Sequence, residues 1–322
     1  MQKIILDCDP GHDDAIALML AHGSPDIELV AVTTVGGNAV LEKTTRNALG
    51  IMTMAGIADV PVAAGCVRPL IGEGEDADVH GVSGLDGVDL PEPAMALDPR
   101  HGVDLIIDTI MEAEPKSISL VPTGPLTNIA MAIRKEPRII DRVKEVVLMG
   151  GGMHVGNWSA VAEFNIKIDP EAAHIVFDAP WEVTMIGLDV THLALATDEV
   201  AEKIEALDTP LGQFVLDLFA FFRQAYHDEQ GFEFPPVHDP VAVARLIDPS
   251  IVGTVRAPIS VEIRGEHTQG MTVTELRPAH IPADCHTQAG VSLDADRFWD
   301  LVVDAIDRLG RAQGEAGGRA SV

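Results

Sequence analysis

Three cysteines, Cys8, Cys66 and Cys285, are all that the 322 residues contain, and they are odd in number, far apart and without CxxC spacing. That pattern excludes a disulfide framework and a cysteine zinc site, leaving buried reduced thiols. Basic residues are scarce as well: 22 Lys and Arg face 50 Asp and Glu, for a net charge of -28. So acidic a chain repels nucleic-acid backbones and anionic membrane surfaces, although much of the charge is simply a solvated face. A neutral or cationic ligand is expected. No apolar run approaches the ~20 residues of a membrane span. Met1-Gln2-Lys3 leads straight into a strand without a signal-peptide pattern, so a soluble, cytoplasmic protein is expected. No repeat of fixed period is visible.

What the chain does have is a large apolar fraction, 47%, arranged as β-branched runs alternating with helical periodicity. This is the pattern of a mostly parallel sheet flanked by helices, an α/β fold with a Rossmann-like core. Predicted strands are 4–6, 29–35, 117–121, 145–149 and 183–188, and predicted helices include 13–22, 41–55, 103–112, 126–134, 171–177 and 210–230. Two further β-like runs, 259–263 and 270–274, precede a final strand and an amphipathic helix over 294–309. Residues 70–100, rich in Gly, Pro, Asp and Glu, read as one long loop, and residues 311–322 as a disordered tail.

The densest signal is Asp7-Cys8-Asp9-Pro10-Gly11-His12-Asp13-Asp14, which follows the apolar run Ile4-Ile5-Leu6. Four carboxylates crowded where a strand hands over to a helix raise one another's pKa values unless a cation, hydrogen bonds or the helix dipole compensates them. All-oxygen ligands point to Ca²⁺ or Mg²⁺. Ligands of open parallel sheets bind beyond the carboxyl ends of the strands, and polar residues recur at those positions. They are Gly36-Gly37-Asn38, Pro122-Thr123-Gly124 and Met149-Gly150-Gly151-Gly152, then Asn157, Glu163-Phe164-Asn165 and His238-Asp239-Pro240. Amides, carboxylates and a histidine suit a sugar-binding site with acid/base chemistry. None of these segments carries a Walker-type lysine or an arginine cluster. Taken singly each has a structural reading: turn or cap for the aspartates and Asn38, a satisfied histidine for His238, core for Met149, Phe164 and Tyr226. Tyr226 and Gln230 stand four apart, on one face of a helix.

These motifs, together with Thr33-Thr34-Val35-Gly36-Gly37-Asn38, Val121 to Asn128, Val147 to Gly152 and Asp169-Pro170-Glu171-Ala172, resemble those of the nucleoside hydrolases, specifically the inosine-uridine preferring ribohydrolases. They occur in the same order, and the resemblance runs from about Lys3 to Leu309. It implies one nucleoside hydrolase domain over 1–310 that cleaves the N-glycosidic bond of free ribonucleosides in nucleoside salvage. It implies Ca²⁺ held by Asp9, Asp14, the Thr123 carbonyl and Asp239, with water and the ribose diol completing the shell. Asp9 would also be the general base. Asp13 and Asn38 would hold the 2′-hydroxyl and the water, with Met149, Asn157, Glu163 and Asn165 on the ribose 3′ and 5′ side and Phe164 nearby. His238, as general acid or hydrogen-bond donor, would serve the leaving base; His80, Tyr226 and Gln230 would line its pocket. Gln230 stands where the protozoan enzymes have an arginine, a departure that bears on purine versus pyrimidine preference. Loops around His80 and Tyr226 are expected to close over substrate, and self-association as a homodimer or homotetramer is implied. Two rival classes are an Asp-nucleophile phosphatase and a non-catalytic calcium-dependent ribose-binding protein.

Overall fold

In the computed structural model, residues 1–74 and 80–320 are described, the last five by backbone alone. The order of elements is β1 (Gln2–Cys8), α1 (His12–Gly23), β2 (Ile27–Thr34), α2 (Leu41–Met54), β3 (Val62–Ala64), α3 (Gly102–Glu112), β4 (Ile118–Pro122), α4 (Thr127–Lys135), α5 (Ile139–Arg142) and β5 (Val143–Met149). It continues with α6 (Phe164–Ile168), α7 (Pro170–Asp178), β6 (Val183–Ile186), α8 (Leu188–Thr191), α9 (Asp198–Glu205), α10 (Pro210–Gln230) and α11 (Pro240–Ile247). Last come β7 (Val252–Arg256), β8 (Ile259–Val261), β9 (Thr272–Thr274), β10 (Thr287–Leu293) and α12 (Ala295–Ala320).

Eight strands form one sheet in the order β3-β2-β1-β4-β5-β6-β10-β7, parallel except for β7, which pairs antiparallel with β10 at the edge. Successive side chains on a strand point to opposite faces, and here both faces are covered. In β1, Ile4, Leu6 and Cys8 pack on the side of α1, α2 and α9 to α12, whereas Ile5 packs with α3, α4, α5 and α7. Val147 and Met149 of β5 divide from Val146 and Leu148 in the same way. Continuous apolar runs therefore read correctly as buried strands. Helix α1 is buried almost all round, packed against α11 and α12.

Strand order reverses beside β1: the chain runs outward from β1 through β2 to β3, then returns to add β4 on the other side of β1. The two diverging connections leave a crevice beyond the carboxyl ends of β1 and β4, the switch point where ligands of such sheets bind. Asp9 and Thr123 both sit there.

The sequence pattern missed β3, only three residues long and preceded by Pro61, and β7, an edge strand broken by Gly253. The runs at 259–263 and 270–274 do form strands, but as a separate antiparallel pair, β8 and β9. Residues 311–320, expected to be disordered, continue α12; Arg311 pairs with Asp307 one turn back and the Gln313 amide donates to the Met54 carbonyl. Residues 321–322 lie outside the described residues. All three cysteines are free, but Cys66 is only partly buried, at the end of the short β3 connection. Among the described residues no helix is long and apolar enough to cross a membrane.

Phe298 of α12 is fully buried, its ring 5.0 Å from that of Trp299. Phe298→Ala should cost about 3–5 kcal/mol, read as a lower urea midpoint. A loss under about 1 kcal/mol would place the α12 seam outside the cooperative core.

Candidate active site

The turn Asp9-Pro10-Gly11 ends β1, and α1 begins at once, so the aspartates divide between strand end and helix N-terminus. Asp7, still on the strand, faces the protein. Its Oδ1 accepts from Thr33 Oγ1 at 2.5 Å and from Asn128 Nδ2 at 2.7 Å, tying β1 to β2 and α4. Burial outweighs those bonds and pushes its acid up to about 7.

Asp9 accepts the Asn38 backbone N–H at 2.7 Å through Oδ2, while Asn38 Nδ2 donates to the Asp9 carbonyl at 3.2 Å. Its other oxygen, Oδ1, is buried and has no hydrogen-bond partner among the described residues. Two glycines make room for this carboxylate. A Cβ at Gly37 would stand 2.1 Å from Asp9 Oδ2, and one at Gly124 would stand 2.5 Å from Oδ1. The Gly-Gly-Asn and Thr-Gly motifs are thus the walls of the Asp9 site.

Asp14 caps its own helix by accepting Gly11 N–H at 2.9 Å, and takes Thr123 Oγ1–H at 2.8 Å. Asp13 accepts the His238 backbone N–H at 3.2 Å, which brings the start of α11 to the start of α1. One carboxylate oxygen each from Asp13, Asp14 and Asp239 then lies within 4.8 Å of the others. Burial comes first, and the neighbouring carboxylates second, in raising Asp9 and Asp239 well above the usual range and Asp13 to about 7. Asp14, better bonded, is raised by burial to about 6. Two helix N-termini offset part of this charge. The bare Asp9 oxygen and an all-oxygen donor set with no lysine or arginine among the lining residues fit a hard divalent cation. Of the four expected ligands, Asp14 and Asp239 belong to the tight cluster; Asp13, expected on ribose, is its third member. The Thr123 carbonyl accepts Asn165 Nδ2 at 2.8 Å.

On the expected ribose side, Glu163 caps α6 and accepts three backbone N–H groups, from Gly151 at 2.8 Å, Asn165 at 3.0 Å and Ile166 at 3.2 Å. Burial still raises it to about 7. Asn165 Nδ2 also reaches the Met149 carbonyl at 3.3 Å, and Asn157 Oδ1 accepts Phe164 N–H at 2.9 Å. Across the pocket, Tyr226 Oη lies 2.7 Å from His238 Nε2, and His238 Nδ1 lies 2.7 Å from Thr191 Oγ1. Burial, with His192 nearby, lowers the His238 imidazole to about 3, so the ring is neutral. Tyr226 belongs to α10, buried and bonded, and not to a mobile loop. His80 arrives from the long 65–101 connection, whose residues 75–79 lie outside the described residues. It stacks on Phe222 and on His12, their Nδ1 atoms 3.1 Å apart.

Every expected substrate-side residue, namely Asp13, Asn38, His80, Met149, Asn157, Glu163, Phe164, Asn165, Tyr226, Gln230 and His238, lines one pocket with about 650 Å³ of open space. Thr123 and Asp239 line it as well, while Asp9 and Asp14 lie behind its wall. Trp158 and Glu229 also line it and were not anticipated, although each adjoins a residue that was. Thr191 and His12 gave no sequence signal, because their roles come from contacts with His238 and His80.

A family model described as inosine-uridine preferring nucleoside hydrolase matches residues 4–300. The chain belongs to this family. It is 54% identical, over 97% of its length and 99% of the other's, to the inosine-uridine preferring nucleoside hydrolase of Crithidia fasciculata. It is 48% identical to a pyrimidine-specific ribonucleoside hydrolase of Photobacterium profundum, covering 85% of this chain and 89% of that one. A solved purine-preferring ribonucleoside hydrolase from Gardnerella vaginalis superposes with a TM-score of 0.90 at 36% identity, covering 97% of this chain and 100% of that chain. As a nucleoside hydrolase with this α/β fold the protein is an enzyme, which sets aside the phosphatase and the non-catalytic binder. The acidic cluster at the β1/β4 crevice is the place in this hydrolase where a cation fits.

Thermal unfolding tests that fit. A divalent cation at about 100 times its Kd should add about 2.7 kcal/mol of stability, reversed by chelation, and Asp239→Asn should lose most of the increment. Equal melting temperatures with cation and with chelator would rule the site out.

Proposed function

We propose that this nucleoside hydrolase cleaves free ribonucleosides, inosine and uridine among them, to ribose and nucleobase in a calcium-dependent reaction serving cytoplasmic nucleoside salvage. The observation that carries the reading is the convergence of two sets of groups on one pocket. The acidic trio, with Asp9 and its bare oxygen behind it, meets there a neutral Tyr226–His238–Thr191 chain whose His238 backbone N–H is bonded to Asp13.

Cleavage of the N-glycosidic bond develops positive charge on the ribose ring as the base leaves with the bonding electrons. Asp13 and Glu163 supply negative charge on that side. The oxygens that would hold Ca²⁺ are those of Asp9, Asp14 and Asp239 and the Thr123 carbonyl, joined by the ribose 2′- and 3′-hydroxyls. An ion held by these residues would supply Lewis-acid chemistry that makes a water more acidic and favours a substrate with a vicinal diol. Asp9, fixed through Oδ2 by Asn38, keeps Oδ1 free to take the proton from the attacking water. Asn38, Asn157 and Asn165 offer amide groups to ribose hydroxyls, with Met149 and Phe164 as apolar sides. His80, Tyr226, Gln230 and His238 surround the base. The assembly inferred from the resemblance is a homodimer or homotetramer.

Four comparisons test this reading on the purified protein with calcium present. Asp9→Asn should lower kcat for inosine by about 10²–10⁴ with a much smaller change in KM; near-normal kcat would remove Asp9 as base. Inosine should exceed 2′-deoxyinosine in kcat/KM by more than about 10², since the diol is part of the grip, and comparable values would defeat the account. Uridine should also be turned over well ahead of its 5′-monophosphate, because the pocket lining has no cationic clamp. Across bases, the purine to pyrimidine ratio should stay within about a thousandfold either way.

A further inference from the structure

Directly beside the active-site pocket lies a second cavity, with about 530 Å³ of open space, lined by Ile71, Glu73, Lys167, Glu171 and Gln269 among others. Among the described residues, Trp158 is the only lining residue that the two cavities share. Its backbone is tightly held. The N–H groups of Asn157, Trp158 and Ser159 all converge on the Ala162 carbonyl, at 3.3, 3.1 and 3.2 Å, and Asn157 in turn binds the start of α6. Trp158 is 37% exposed, and among the described residues its one ring contact is the edge-on Phe164, 5.3 Å away at 67°. Three backbone bonds brace the turn, and among the described residues Trp158 is the one that stands between the two cavities.

We propose that Trp158 is a specificity-determining residue. Its indole closes the ribose 5′ end of the pocket, excluding ribonucleosides that carry a 5′-substituent larger than hydroxyl, and the second cavity is the space that such a substituent would fill. The assignment of the 5′ end to Asn157 and its neighbours rests on the functional reading above. The chemistry of the second cavity adds a preference. Two carboxylates, Glu73 and Glu171, face one ammonium, Lys167, which is already bonded to Gln269 Oε1 at 2.8 Å. Opening the partition therefore admits neutral or cationic 5′-groups and still rejects a phosphate.

The test measures kcat/KM for inosine, 5′-deoxy-5′-methylthioinosine and inosine 5′-monophosphate with the wild type, Trp158→Ala and Trp158→Phe. The wild type should favour inosine over the methylthio analogue by more than about tenfold, and Trp158→Ala should shrink that ratio by about tenfold or more, a steric wall being worth this much. The shorter ring of Trp158→Phe should shift it part of the way, and carries the test if the alanine variant does not melt cooperatively. The monophosphate should stay poor throughout. Loss in equal proportion on inosine and the analogue would overturn the proposal while leaving the functional reading intact; so would a wild type that turns over both alike. A gain on the monophosphate matching that on the analogue would overturn the charge preference. No ribose released from inosine by the wild type would overturn the functional reading, and the proposal with it.

Discussion

Buried like charge that no protein cation relieves is the constraint on which the site is built. Asp7, Asp9, Asp13, Asp14 and Asp239 are all removed from water, and no lysine or arginine lines the pocket beside them. Burying ionised carboxylates unpaired is costly enough that they take up protons instead. The structure spends its backbone N–H groups and helix N-termini on them: Gly11 and Asn38 donate to Asp14 and Asp9, and α1 and α11 point their positive ends at the cluster. One oxygen of Asp9 is left bare. A scaffold that holds its acids this rigidly and still under-compensates them is poised for a cation, and would lose stability without one.

The sheet makes this rigidity possible. The pairing of β1 with β2 on one side and β4 on the other places Asp7 opposite Thr33 and Pro122, so a single buried carboxylate can take the Thr33 and Asn128 donors while Asp9, two residues on, clears the sheet edge. Strand alternation alone decides this division: residues 7 and 9 share a face, and only the end of pairing after Cys8 frees Asp9 for the crevice. Asp7 is accordingly a brace for the site, with no access to the pocket.

The fold class and six of the eight strands of the central sheet could be read from the sequence, because strands buried on both faces write long apolar runs and α2, α3 and α10 have clear periodicity. The pocket could be read as well, since strand-end polar residues converge at a parallel sheet's carboxyl edge. What could not be read has physical causes. Three-residue β3 is shorter than any pattern window, and α12 was cut short because Gly314, Gly317 and Gly318 imitate a tail. Which aspartate faces the cluster depends on helix phase at α1, which a run of adjacent acids does not encode. His12 and Thr191 act only through partners distant in sequence. Trp158 carries no sequence signal because it has no chemistry of its own; its place between two cavities is purely geometric.

The two walls of the pocket differ in kind, and this shapes what each can do in the proposed reaction. His238 is neutral and bonded on both ring nitrogens by hydroxyl groups, Tyr226 on Nε2 and Thr191 on Nδ1, so one ring proton must choose between them. With the proton on Nδ1, it is donated to Thr191, and Tyr226 gives its own hydroxyl proton to Nε2. With the proton on Nε2, Thr191 donates to Nδ1, and the Tyr226 hydroxyl accepts from the ring and is released to donate elsewhere. Burial beside several carboxylates holds Tyr226 well above the ordinary phenol range, so that hydroxyl keeps its proton and acts as a hydrogen-bond donor. A departing nucleobase that gathers negative charge is an acceptor for it. A wall of this kind gives little to the ground state, where the base is neutral, and more as the bond breaks, which is the difference that accelerates a reaction. The carboxylate wall, ionised once a cation offsets the cost of its burial, does the complementary work on the ribose.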